Sequence, residues 1–149
     1  MQPAFVFEVV GSVFVLAHTK DPPSEGEWSA FMTAMKARMA DAEHIRTLVF
    51  TDGGGPNAAR RDDINQELRG RKVRTAVHSN AAIVRFMVSS LALFNPSIRS
   101  FEPKDVEAGL AHVDLSRDRK LVRDAALRLQ GRIGAGRCSA LEHAIRILA

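Results

Sequence analysis

The chain has 149 residues, of which 46% are hydrophobic and 26% charged, with a formal net charge of +4. That is the make-up of a folded globular chain and excludes disorder along its whole length. A single cysteine, Cys138, excludes an intrachain disulfide, and five histidines beside one cysteine supply no zinc-finger framework.

No apolar run approaches the roughly 20 residues of a membrane span. The first residues carry no basic region, and Glu8 interrupts the apolar run Phe5-Val6-Phe7, so no secretory signal is read and a cytoplasmic location is expected. Charge is uneven along the chain. Residues 1–50 hold 4 basic and 6 acidic side chains, residues 51–100 hold 8 and 4, and residues 101–149 hold 9 and 7. The excess centres on Arg60, Arg61, Arg69, Arg71, Lys72 and Arg74. Asp62, Asp63 and Glu67 are interleaved with it, which describes a solvated helix face better than a nucleic-acid stripe. Nucleic acid is therefore not an expected partner.

Phe5–Val10 and Val13–His18 read as two strands joined by Gly11-Ser12, a two-residue hairpin turn. Pro22-Pro23 breaks the second strand. Ser24 and Glu27 have the spacing of a capping box, and the helix after them places Trp28, Phe31, Met32, Met35 and Met39 on one stripe. Ile45–Phe50 is the third strand, ended by Asp52-Gly53-Gly54-Gly55-Pro56-Asn57. Ala58–Leu68 is a polar helix with a thin apolar face, closed by Gly70. Val73–Val77 is the fourth strand. Ser79 or Asn80 is expected to cap a helix from Ala81 to about Phe94, apolar on most sides and so either the most buried helix or one that faces a partner. Asn95-Pro96 stops it. Ile98–Phe101 is a fifth strand, and Pro103 suits the first turn of a helix carrying Val106, Leu110 and Val113.

Beyond Asp114, the residues Leu121, Val122, Ala125, Leu129 and Ile133 form another amphipathic stripe, broken by Gly131, Gly134 and Gly136. Ser139 and Glu142 repeat the capping-box spacing before Leu141, Ile145 and Leu148. The expected fold is α/β: a small mixed five-stranded sheet, with a hairpin start and then alternating strands and helices, four helices, and a C-terminal helical extension. The domain occupies residues 1–115 and the extension 116–149. Packing on the domain, exchange between subunits and partner binding are the three roles open to the extension.

Residues 4 to 113 resemble the SpoIIAA-like branch of the STAS domain superfamily, a bacterial regulatory group. The likeness is carried by Val73-Arg74-Thr75-Ala76-Val77-His78-Ser79-Asn80 before an apolar helix, then Phe94-Asn95-Pro96, Ile98-Arg99-Ser100-Phe101 and Asp105 to Leu110. It implies a non-enzymatic protein-binding regulatory module with no cofactor. Partner switching in that group uses a phosphorylated serine after the third strand. Here Gly53 to Ala59 holds no serine or threonine, and Thr51 sits just before it. The resemblance puts partner docking on Asp52, Gly53, Gly54, Gly55, Asn57, Arg60 and Arg61.

Other chemistries have less support in the sequence. The three glycines lack the lysine and hydroxyl of a phosphate-binding loop. His78 and Asp52 both end strands, where α/β sheets bind ligands, yet no nucleophile accompanies them. No two histidines have ligand spacing, so no metal is expected. Two alternative functions stay open: an immunity protein neutralising a toxin, and a protein binding a lipid or small apolar ligand through Met35, Met39, Phe86 and Met87. A homodimer is a further partner left open.

Overall fold

Gly11 adopts φ 61°, and Val10 pairs with Val13 across it. A glycine at the first central position of a two-residue turn matches the twist of the strands it joins, here β1 (Phe5–Val10) and β2 (Val13–His18). The structure is a computed structural model and describes residues 2–149. After the hairpin come α1 (Glu25–Lys36), a 3-10 turn (Met39–His44), β3 (Arg46–Thr51), α2 (Ala58–Leu68), β4 (Arg74–His78), α3 (Ala82–Ala92) and β5 (Ile98–Phe101). A 3-10 turn (Pro103–Asp105) leads into α4 (Val106–His112), followed by α5 (Arg119–Ile133) and α6 (Ser139–Leu148). The sheet order is β1-β2-β3-β4-β5, antiparallel between β1 and β2 and parallel from β2 to β5. The fold is α/β with a mixed five-stranded sheet.

The central strands are apolar on both faces, and both are covered. Val13, Val15, Ala17, Leu48, Phe50 and Ala76 pack under α4, α5 and α6. Phe14 and Leu16 pack under α1 with Trp28, Phe31, Met32 and Met35, and Val77 and Ile98 pack under Val84 and Val88 of α3. All six residues of β2 are buried. The segment after residue 116 therefore shares one hydrophobic cluster with the sheet. Its arginines also bind the hairpin: Arg128 Nε meets Glu8 Oε1 at 2.6 Å, and Arg132 and Arg137 donate to the carbonyls of Phe7 and Pro3 at 3.0 and 2.6 Å.

Ser24 and Glu27 form the expected capping box, with Glu27 N–H donating to Ser24 Oγ at 3.1 Å and Ser24 N–H to Glu27 Oε1 at 2.8 Å. The second carboxylate oxygen accepts from Ala4 N at 3.0 Å, which ties the helix start to β1. Four local expectations are corrected. The chain leaves α1 at Lys36, so Met39 reaches the core from the 3-10 turn rather than from the helix. Neither Ser79 nor Asn80 is the N-cap of α3, which is Ala81; Ser79 Oγ donates to the Thr51 carbonyl at 2.6 Å and accepts from Ala81 N at 3.1 Å. Gly131 does not break α5, which runs through it to Ile133. Ser139 and Glu142 do not form a capping box, because Glu142 turns back to accept from Gly136 N at 2.5 Å.

The apolar α3 is not the most buried helix. Only Val84 and Val88 are buried, while Ile83, Phe86, Leu93 and Phe94 are 57%, 70%, 81% and 61% exposed. Its cluster is the smallest because it lies over the sheet edge, where β5 offers only 4 residues.

Leu141 is fully buried in the cluster that joins the extension to the sheet. Leu141→Ala is expected to cost about 2–5 kcal/mol, and deletion of residues 117–149 to abolish cooperative unfolding. Urea denaturation followed by circular dichroism checks both.

Candidate functional site

Asp52 directly follows β3, and its carboxylate points at the start of α6. Oδ2 accepts from Ser139 N at 2.6 Å, and Oδ1 accepts from Ala140 N and Ser139 Oγ, each at 2.9 Å. Free N–H groups at a helix start favour an anionic acceptor. Asp52 is thus the cap that α6 lacks locally, supplied from 87 residues upstream.

The glycine loop is clamped. Gly54 N–H donates to the Thr19 carbonyl at 2.8 Å, and Thr51 Oγ1 donates to the Gly54 carbonyl at 2.6 Å. A Cβ on Gly54 would collide with the backbone carbonyls of Thr19 and Asp21, so this position needs glycine for close approach of two loops. Asn57 Oδ1 accepts from Arg60 N at 2.9 Å and caps α2. Arg60 donates to the Pro23 carbonyl at 2.8 Å and lies 5.5 Å over the Trp28 ring, a cation–π position. Arg61 donates to the Pro56 carbonyl at 2.9 Å. Of the wider basic cluster, Arg71 binds the carbonyls of Met39, Glu67 and Leu68. These arginines work first as braces between loops and helix ends.

Asp52 and His78 are not brought together by a hydrogen bond. His78 is fully buried, stacked on Phe50 at 4.8 Å and Phe101 at 5.6 Å, and its Nδ1–H donates to the Val49 carbonyl at 3.1 Å. Its Nε2 is unpartnered and faces Gly109 of α4, where a Cβ would clash with it. Burial pushes its pKa down to about 4, against a smaller opposing effect of the Val49 bond. His18 is likewise pushed down to about 3 by burial. Cys138 is buried, its thiol pushed up to about 12 by desolvation, so it is a poor nucleophile. Asp41, Glu43 and His44 bring their ligand atoms within 4.8 Å on an exposed turn, but His44 Nδ1 is already bound by Asp41 at 2.6 Å.

Three concavities surround this region. A polar cleft of about 510 Å³ at the carboxyl ends of β2, β3 and β4 is lined by Lys20, Asp21, Asp52, Asn80, Arg137 and Ser139 among others. An outer groove of about 260 Å³ runs between the loop Gly53–Asn57 and Phe86 and Ile83 of α3, with Lys20 and Arg61 in its lining and no carboxylate. Between the sheet and α1, α2 and α3 lies a cavity of about 130 Å³. Of the apolar candidates, Met35, Met39 and Met87 line the cavity and Phe86 does not; it lines the outer groove with Met87.

Sequence reasoning placed Gly53, Gly54, Gly55, Asn57, Arg61, Phe86 and Met87 in separate candidate sites, and the outer groove brings them together. It missed Lys20 as a member of that groove, and His18, Trp28 and Asn65 as members of the cavity. A strand end facing the α1 side, two residues beyond Leu16, was the available signal for His18. No helix of the described residues is long and apolar enough to cross a membrane. No protein-family model, no curated protein and no solved structure matches the chain.

Two predictions follow from these contacts. Asp52→Ala removes three hydrogen bonds from the α6 start and is expected to cost about 2 kcal/mol, whereas Asp52→Asn, which keeps an acceptor, costs less; chemical denaturation reads the difference. His18 and His78 stay neutral in the fold, while the unfolded chain takes up protons below the ordinary histidine value of 6.5. Their stabilising contribution is therefore full above about pH 6.5 and lost as pH falls towards about 4, at up to about 1.4 kcal/mol per histidine per pH unit. Urea unfolding at about pH 7 and pH 5 should show the lower stability at pH 5.

Proposed function

We propose that the chain is a non-enzymatic docking module of the SpoIIAA-like STAS type, whose partner is an acidic, apolar segment of another protein. The observation that carries this reading is the pair of exposed side chains on α3, Ile83 and Phe86, that line the outer groove beside the glycine loop, with Leu93 and Phe94 exposed just past the end of the same helix. Exposed apolar patches of this kind mark interaction surfaces on soluble proteins. Charge selects the partner's sign. Lys20 and Arg61 line the groove and no carboxylate does, so an acidic segment with an apolar anchor is complementary to it.

The groups that would serve catalysis are spent on the fold. Asp52 holds the start of α6, His78 is neutral and enclosed by aromatic rings, and the Cys138 thiol is buried. That favours binding over chemistry. The order of strands and helices through α4 supports the family resemblance, and the absence of a serine or threonine between Gly53 and Ala59 argues for docking without the phosphorylation switch.

Affinity capture from native cell extract with the full chain, run beside Phe86→Ser and Arg61→Glu, tests the reading. Phe86 is 70% exposed, so its replacement should move stability by no more than about 0.5 kcal/mol. The expected result is a protein captured by the wild type, bound at least about tenfold more weakly by Phe86→Ser and released by salt. Equal capture by wild type and both variants overturns it.

A further inference from the structure

The α1–α3 layer covers the sheet but leaves a seam over its middle strand. Val49 lies on β3, the third strand of five, with Leu16 of β2 and Val77 of β4 as its register partners. Its chain neighbours on the opposite face, Leu48 and Phe50, are both 0% exposed. Val49 and Thr47 are only half-buried. Strands flank Val49 on both sides, so its exposed surface faces the helix layer. Central strands of a parallel sheet are normally covered on both faces. The seam has its cause in α2. That helix joins β3 to β4 and would cover them, but it carries Arg60, Arg61, Asp62, Asp63 and Glu67 and buries only Leu68. The apolar side chains of this face therefore fall into two clusters, one under α1 and one under α3, with Val49 at the edge of both. The α4–α6 face has a single cluster.

The cavity of about 130 Å³ follows this seam. Leu16, Val49, Val77 and Ile98 line it, one from each of four neighbouring strands. Neighbouring strands lie about 4.8 Å apart, so this floor is about 14 Å across. A compact cavity of about 150 Å³ takes up benzene. A similar volume spread over that length is a slot. No Lys, Arg, Asp or Glu lines it. Thr51, Thr75 and Asn95 each donate to a backbone carbonyl. The wall thus offers apolar contact and no counter-charge, and a charged group inside would stay unpaired.

We propose that the slot binds the linear alkyl chain of a small amphiphile. An extended chain advances about 1.25 Å per carbon, the projection of a bond of about 1.5 Å, so about ten carbons fit the floor. The chain lies over Val49 and joins the two clusters, with Met35 on one side and Val84 and Met87 on the other. Its head group leaves between α2 and α3, past the half-buried Ile64 and Leu91. Lys20, Arg61, Ile83 and Phe86 do not line the slot, so the site stands independently of the docking surface.

The experiment titrates the full chain with 1-hexanol, 1-octanol, 1-decanol, 1-dodecanol and cyclooctanol in a calorimeter. Methyl shifts in ¹³C-labelled protein locate the response. The expected result is saturable binding that strengthens by up to about fourfold per added methylene as far as 1-decanol and then levels off. Cyclooctanol, equally apolar but compact, binds more weakly than 1-octanol. The shifts fall on Val49, Val77, Val84 and Leu91. Val49→Phe keeps a good strand former and fills the middle of the floor. It should weaken 1-decanol by at least about tenfold, the loss of about two methylene contacts. Saturable binding of none of the alcohols overturns the proposal. So does affinity that ignores chain length, cyclooctanol binding as tightly as 1-octanol, or shifts confined to Ile83 and Leu93. A folded Val49→Phe with wild-type affinity overturns it too. If that variant does not fold, Ile64→Phe narrows the same slot from α2 and is read in the same way.

Discussion

A parallel sheet whose central strands are apolar on both faces cannot be left half covered. In this chain β2 is the strand that enforces the rule, since Phe14 and Leu16 point one way and Val13, Val15 and Ala17 the other, all buried. The helices between strands cover one face. Only α4 follows β5 directly, and its seven residues are too few to cover the other. The last thirty residues complete that layer through Val122, Ala125, Leu129, Ile133 and Leu141. Everything at the glycine-loop end depends on this closure, because Asp52 is held by the α6 start and the β3–α2 loop leaves from Asp52.

The two layers are packed differently. The α4–α6 side uses small residues at its contacts, with Ala125, Ala126, Ala140 and Ala144 all buried, so helices approach the sheet and each other closely. The α1–α3 side uses Trp28, Phe31, Met32, Met35 and Met39. Large, flexible side chains bridge a wider gap and leave a void where their shapes do not interlock. The cavity lies on that side. The tight layer holds the sheet, and the looser layer is the one free to accommodate a guest.

Local chemistry was readable from the sequence. Gly11-Ser12 set the hairpin register, and Ser24 and Glu27 the start of α1. Each acts within four residues, so its effect is written beside it. The failures were non-local. Ser139 and Glu142 have the spacing of a cap, but Asp52 arrives from a distant strand and competes for the same N–H groups. Periodicity showed that α3 has an apolar surface. Whether that surface is covered depends on how much sheet lies beneath it, and β5 is short. The candidate site divides the same way. The glycine loop and Met87 were visible as residue types, while their shared groove is a product of the fold. A cavity is a sum over many side chains from different elements, and no single residue announces it.

That shared wall links the cavity and the outer groove physically. Gly54 N–H donates to the Thr19 carbonyl, the Asp21 carbonyl crowds its Cα, and Thr51 Oγ1 donates to the Gly54 carbonyl, so the loop backbone has little freedom. Met87 is the adjustable part: half-buried, on α3, with a thioether that repacks at low cost. Its neighbour Phe86 lies on the outer groove and Val84 and Val88 on the cavity. A molecule inside and a segment outside would therefore meet opposite sides of one helix, with one methionine between them. Any influence of one on the other has to pass through the position of that side chain or through a small shift of α3.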